Sequence, residues 1–443
     1  MDHVRNLAVR VLSEVNEEGA YANVALARNL RKATLSDVDR RFLTELAYGA
    51  VKATGTLDWM IRRYVNRPVR KIAPMIRNIL RLGFYQIFYM DKVPASAACN
   101  ECVELAKKYG HPGTVKFVNA VLRSAVREPE KCAFPHGKGH ATEELALATL
   151  HPQWLVKRWV KTLGYDAAAA ICAFDNADAV LSLRTNTLKS SREVLLARLQ
   201  AEGADVTPSV WAPEGILCMS HGALDSMTSL AEGLFQVQDE SSMQVAHVVG
   251  PQPGELVIDC CSAPGGKTTH LAALMQNQGR IVAGDIYEHK LERIDENARR
   301  LGIRIIDTEL LDARDVGRRF AGQADRVLVD APCSGLGVLR RKPDARWKKN
   351  EEDIRKLPQL QLDILASAAE AVKPCGVLVY STCTIDRAEN EDVVEAFLAT
   401  HEAFALAETG AFLPTKPRAE RMVQLYPHVD GTDGFFIARM ERK

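Results

Sequence analysis

Apolar residues recur every three or four positions through the first 130 residues of the chain. VRNLAVRVLSEV, DRRFLTELAYGAVKAT, TLDWMIRRYV and MIRNILRLGFYQIFYM all show the spacing, with leucine, valine and aromatic side chains on one face of each helix. Strand patterns are nearly absent there, which predicts an all-helical domain over 1–130. EPEKCAFPHGKGHAT, rich in Gly, Pro and His, breaks the period and reads as a linker over 131–150. From 151 to 233 the patterns mix: PQWLVKRWVKTLG and SREVLLARLQAEG are helical, AVLSLRTNT and WAPEGILCM strand-like. A small α+β module is expected.

From residue 234 the alternation becomes regular. LVIDCCSA, RIVAGDI, RIIDTELLDA, RVLVDAPC and VLVYSTC each read as an apolar strand entering a polar loop, with TTHLAALM, HKLERIDENARRLG and LPQLQLDILASAAEAV as helices between them. Strands apolar on both faces and separated by helices predict a doubly wound, mostly parallel α/β sheet over 234–443. Such sheets bind ligands at the carboxyl ends of strands, where strand order reverses. Asp285, Asp312, Asp330, Cys333 and Cys383 all fall at or just beyond such ends.

DCCSAPGGKTTH, Asp259 to His270, places a glycine-rich turn between the first of these strands and a helix. A P-loop needs glycine where this chain has Cys261, and a dinucleotide site needs GxGxxG, which APGGKT does not supply. S-adenosylmethionine remains, its carboxylate suited to the helix N-terminus. Asp285, nineteen residues after Gly266, has the offset of an acid that binds ribose hydroxyls, and Asp312 could accept from an adenine amino group.

Bulk properties narrow the setting. At 443 residues the chain is too long for one core, and its net charge of +1 gives no global basic signature, so nucleic acid would have to meet local patches. One such patch runs from Lys52 to Arg81 (Lys52, Arg62, Arg63, Arg67, Arg70, Lys71, Arg77, Arg81) against the single acid Asp58. No signal peptide and no run of 18 apolar residues is present, so a cytoplasmic protein without membrane contact is expected. Ten cysteines in such a chain do not form a disulfide scaffold. The lone CxxC at Cys99 and Cys102 lacks a second pair, so no metal is expected.

CSAPGGKT, VDAPCSGLG and YSTCT, in this order, resemble the RNA 5-methylcytosine methyltransferase family, and LYPHVDGTDGFFIARM is similar to its closing motif. The helical N-terminus resembles the antitermination factor NusB. With RTNTLK and LFQVQDESS between them, the combination resembles the bacterial branch that acts on 16S ribosomal RNA, over essentially the whole chain. The resemblance implies a Rossmann-like class I methyltransferase sheet, S-adenosyl-L-methionine as cofactor and 16S ribosomal RNA as partner; a monomer is the expected state. It implies a cofactor site of Cys261, Ser262, Ala263, Pro264, Gly265, Gly266, Lys267, Asp285, Asp312 and Asp330. It makes Cys383 the nucleophile and Cys333 the group needed for product release. Cys260, Cys261 and Ser262 depart from the family's usual leucine-cysteine or alanine-rich residues there.

Carbon 5 of cytosine is a poor nucleophile until a thiolate adds to carbon 6, so two thiols at strand tips suit that chemistry, with Asp330 activating the base. A Pro-Cys precedent from DNA cytosine methyltransferases would make Cys333 the attacker; the resemblance favours Cys383. Amino-methyltransferases would show Pro-Pro-aromatic where this chain has Ala331, Pro332 and Cys333. Just past that loop, Arg340, Arg341, Lys342, Arg346 and Trp347 are the expected RNA contacts. The rival readings are a transfer-RNA or DNA cytosine methyltransferase, and a non-catalytic RNA-binding or antitermination factor on the same scaffold.

Overall fold

Caps and spacing explain where the N-terminal helices begin. In the computed structural model, which describes residues 2–137, 139–222 and 224–443, helix His3–Asn16 starts at Asp2. The Asp2 carboxylate accepts from the backbone N–H groups of Val4 and Arg5 at 2.8 and 3.2 Å. Ser36 caps Asp37–Lys52 in the same way, accepting from Asp39 N–H at 3.2 Å. Pro74 and Pro112 open Pro74–Tyr89 and Pro112–Arg127, where a missing N–H breaks no helical bond. The spacing puts Leu7, Val11 and Leu12 in one core with Leu43, Leu46, Ile79 and Leu122. Leu12 is fully buried, and its truncation to Ala would cost about 2–5 kcal/mol. Cys99 and Cys102 belong to this core, and burial pushes the Cys102 thiol up to about 12.

The chain forms two compact units, Met1–Ala177 with Leu339–Glu351, and Asp178–Val338 with Glu352–Lys443. The division falls inside the stretch 151–233. Helices Gln153–Leu163 and Tyr165–Asn176 pack on each other, and the former on Ala141–Ala148, within the first unit. Among the described residues, no helix is long and apolar enough to cross a membrane.

The second unit holds two sheets. Strands β1 (Leu181–Thr185), β2 (Asp205–Pro208), β3 (Gly215–Ser220) and β4 (Phe235–Val237) are antiparallel in the order β2-β3-β1-β4. Leu183, Val206, Ile216 and Phe235 pack with Leu195 and Leu199 of helix Arg192–Ala201. The larger sheet comprises β5 (Leu256–Asp259), β6 (Arg280–Asp285), β7 (Ile306–Leu310), β8 (Ala324–Asp330), β9 (Val372–Thr382), β10 (Phe404–Leu406), β11 (Met422–Leu425) and β12 (Phe435–Arg442). Its order is β10-β12-β9-β8-β5-β6-β7, with β11 beside β12.

Strands β5 to β9 pair in parallel, and β12 enters antiparallel beside β9. Strand order reverses at β5, because the chain runs outward through β6 and β7 and returns to β8 on the other side. The loops after β5 and β8 therefore flank the crevice where such sheets bind ligands. Ile258, Val282, Val327, Val329 and Leu378 are wholly buried, as strands covered on both faces require. The register sets Asp330 beside Ser381 and so brings the polar tips of β8 and β9 level.

Candidate active site

The turn after β5 is tied to β6. Ser262 donates to the Gly284 carbonyl through its backbone N–H at 3.0 Å and its hydroxyl at 2.9 Å. Gly265 has φ +94°, and a Cβ there would lie 3.3 Å from Ile294, so glycine is required. Helix Gly266–Leu274 starts at the next residue. Beneath it Asp259 is wholly buried: Oδ2 accepts from the Thr268 hydroxyl at 2.7 Å, while Oδ1 has no hydrogen-bond partner. Burial pushes the Asp259 carboxyl up to about 7.

Cys261, on this turn, has its thiol pushed up by burial and by the nearby carboxylates, Asp259 foremost. Asp285 is nearly buried at the end of β6 and accepts from Tyr287 N–H at 3.0 Å. Asp312 is more open; it accepts from Arg314 N–H at 2.9 Å and pairs with the guanidinium at 2.7 Å. That hydrogen bond holds its carboxyl below the usual range.

The second group of residues gathers at the tips of β8 and β9. Cys333 Sγ and Cys383 Sγ stand 3.3 Å apart. Lys267 joins them: its Nζ donates to Asp330 Oδ2 at 2.7 Å and sits 4.9 Å from the centre of the Phe435 ring. Asp330 Oδ1 accepts from the Ser381 hydroxyl at 2.9 Å. Burial opposes the Lys267 charge, but Asp330 and Cys383 outweigh it and raise its pKa. The Cys333 thiol is raised well above its ordinary range by its hydrogen bond to Cys383, by burial and by the Cys383 charge. Cys333 therefore holds its proton more tightly than an ordinary thiol does.

Several residues of this site were invisible to sequence reasoning. Glu389 lies in DRAENED, a run that looks solvated, yet it is wholly buried. Its Oε2 accepts from Ser334 N–H at 2.8 Å and from Gln361 at 3.0 Å, which fixes the loop carrying Cys333. Arg184 looked like one polar position of an alternating strand. It is buried, and its guanidinium donates to Gln238, to the Gly266 carbonyl and to Thr269 Oγ1, the last at 2.9 Å. Burial lowers its pKa to about 9.

The five expected RNA contacts lie in the segment that folds with the first unit. Arg346 does not face solvent. It is wholly buried and donates to the carbonyls of Leu150 and Asp175 at 3.0 and 3.2 Å and to Asn176 Oδ1 at 3.0 Å. Trp347 is half-buried over Gly55 and donates from Nε1 to the Lys52 carbonyl at 2.9 Å. Both hold the helical unit together, because a desolvated guanidinium or indole N–H needs such acceptors. Arg340 stacks over Phe174 at 4.2 Å, Arg341 is partly exposed and Lys342 exposed. In the basic N-terminal stretch Arg81 is likewise spent on Asp58 at 2.7 Å, whereas Arg62, Arg70 and Lys71 are exposed.

Residues 246–441 match the family described as 16S rRNA methyltransferase RsmB/F, 2–127 the NusB family, and 151–224 the ferredoxin-like domain of RsmF/B-like methyltransferases. The chain is 41% identical over 447 residues to Probable ribosomal RNA small subunit methyltransferase B of Bacillus subtilis (strain 168), covering 99% of each. The chain belongs to the RsmB/F methyltransferase family. Ribosomal RNA small subunit methyltransferase B of Salmonella paratyphi B is another relative, 33% identical over 100% of this RsmB/F chain and 99% of its own. The crystal structure of PH0851 matches with a TM-score of 0.87 at 30% identity over 98% of both chains. NSun6 from Pyrococcus horikoshii, solved with SFG, matches at 0.60 and 25% identity over 66% of this chain and 98% of that one. The NusB-like helices and the mostly parallel sheet expected of an RsmB/F methyltransferase are both present.

Proposed function

We propose that this chain transfers a methyl group from S-adenosylmethionine to carbon 5 of a cytosine in 16S ribosomal RNA, through a covalent bond between a cysteine and carbon 6. The observation that carries the reading is the Cys333–Cys383 pair, 3.3 Å apart beside Asp330 and Lys267. The RNA class follows from the names of the relatives.

The chain's residues fit the cofactor. The unpartnered Oδ1 of Asp259 is an acceptor for its ammonium group, and the N-terminus of Gly266–Leu274 suits its carboxylate. Asp285 and Asp312 suit the ribose hydroxyls and the adenine amino group. When bound, the cofactor supplies an electrophilic methyl.

Cys383, the thiol beside Lys267, adds to carbon 6 and makes carbon 5 nucleophilic. The Asp330 carboxylate pairs with the amino group and N3–H of a ring protonated at N3, which favours that addition. Lys267 is the adjacent source of the proton. After methylation carbon 5 loses its proton and the Cys383–C6 bond breaks. Cys333, still a thiol, assists directly or by positioning the water that takes the proton, and its hydrogen bond receives the departing sulfur. Arg340, Arg341 and Lys342, which follow the Cys333 loop in sequence, would neutralise RNA phosphates, and the target cytosine must leave its stack.

The test is trapping. Cys333→Ala, incubated with cofactor and deproteinised 16S RNA, should accumulate a band shifted on a denaturing gel, and Cys383→Ala should give neither band nor methylation. Adduct formation only with Cys383→Ala would exchange the two roles. Equal methylation of transfer RNA or duplex DNA would overturn the substrate, and no methylation of any would leave the scaffold reading.

A further inference from the structure

Three side chains that methyl transfer does not use converge in the second unit. Glu214 immediately precedes β3, His247 lies on helix Glu240–Val249 and His270 on Gly266–Leu274. His247 Nε2 lies 3.1 and 3.2 Å from the two Glu214 oxygens, and His270 Nε2 lies 2.9 Å from Oε1. The three ligand atoms fall within 4.8 Å of one another.

Two features set this cluster apart from an ordinary buried ion pair. His270 is 2% exposed, yet neither ring nitrogen has a hydrogen-bond partner. Its Nε2 is close enough to Glu214 to bond but not aligned for it. A nitrogen and an oxygen that approach without pointing at each other are expected when both direct lone pairs at a third atom. The two imidazoles also meet edge to face, at 85° and 5.2 Å between centres, so neither ring covers the other.

Two imidazole nitrogens and one carboxylate form a donor set for a borderline divalent ion. Tetrahedral zinc with ligands at about 2.0–2.1 Å separates them by roughly 3.3 Å, a few tenths of an ångström from the two imidazole–carboxylate spacings found here. His247, with a side chain 16% exposed, leaves a route of entry. We propose that Glu214, His247 and His270 bind one zinc-class divalent ion. Water completes the coordination, and the ion clamps the small sheet to the helices on either side of the cofactor turn. The sequence alone had suggested no metal, since the three ligands come from separate elements without a spacing motif. Arg184 also faces Glu214 and weakens its pull on a cation, so affinity below that of thiolate sites is expected.

The experiment uses the full chain, stripped with a chelating resin and titrated with Zn2+ against a chromophoric chelator. The expected result is one equivalent per chain, lost in His247→Ala and in His270→Ala. His247 is the more accessible, so His247→Ala remains informative if His270→Ala fails to fold. Substitution by Co2+ should give visible d–d bands without the near-ultraviolet charge transfer of a thiolate ligand. Zinc that survives both histidine variants but disappears in Cys333→Ala/Cys383→Ala would place the ion on the thiols and overturn the proposal. Failure of the wild-type chain to bind zinc at about tenfold molar excess would overturn it equally, leaving a histidine–glutamate network without metal.

Discussion

The backbone N–H of Gly337 donates to the carbonyl of Cys383 at 3.0 Å. The loop that carries one thiol is thereby pinned to the strand tip that carries the other. Gly434 closes the arrangement by donating its own N–H to the Gly337 carbonyl at 2.8 Å. A Cβ on Gly337 would stand 2.1 Å from the Gly434 oxygen. Gly337→Ala must push backbone against backbone, and overpacking of this kind costs about 1–3 kcal/mol. The expected outcome is a modest fall in Tm with a much larger loss of kcat, read by thermal melts and methyl transfer from the same preparation.

Glu389 supports the same loop from below. Glu389→Ala leaves the Ser334 N–H buried without an acceptor, at about 1–3 kcal/mol. Adduct formation should survive better than adduct resolution, because Cys333 moves while Cys383 stays on its strand. Glu389→Gln keeps one acceptor oxygen and should recover most of the loss. Single-turnover trapping with both variants checks this.

Thiols 3.3 Å apart need only a small movement to reach the roughly 2.05 Å of a disulfide bond. Peroxide should oxidise Cys333 and Cys383 to a disulfide, the two sulfur-bound hydrogens leaving with the peroxide as water. Activity should vanish and return with dithiothreitol. Peptide mass spectrometry should find the cross-link at this pair, whereas the exposed Cys375 should oxidise without an internal partner.

Burial lifts the Asp259 carboxyl from an ordinary 3.8 to about 7. An acid whose pKa is raised by folding holds its proton more tightly in the native state. Its contribution to stability is whole below about pH 4 and is lost as pH rises through about 7. Asp259→Asn cannot ionise, so its Tm should fall less than that of the parent between about pH 4 and 8. An amide can accept from an ammonium group but has no charge to attract it, so cofactor affinity should drop by about tenfold or more, some 1.4 kcal/mol. Scanning calorimetry and titration calorimetry separate the two effects.

The strand tips were legible because parallel strands covered on both faces leave long apolar runs, and the polar residues that end them stand out. What touches what across the sheet was not. Lys267 belongs by sequence to the cofactor turn, but its ammonium reaches Asp330, sixty-three residues further on. Arg346 and Trp347 read as RNA contacts because their acceptors are distant in the chain; the Leu150 carbonyl lies 196 residues from Arg346. A charge run shows its sign locally, but its burial depends on partners that the run does not contain. Glu389 was missed for the same reason.

Arg184 and Asn186 reach out of the small sheet into the catalytic fold. Arg184 donates to the first carbonyl of the helix that follows the cofactor turn, and Asn186 donates to the Leu301 carbonyl at 2.9 Å. A fragment trimmed to residues 246–443 would strip a buried cation from beneath that helix and leave a carbonyl without its donor. Anyone transplanting this catalytic sheet into a chimera should therefore cut upstream of residue 181 and carry the small sheet along as part of the same cassette.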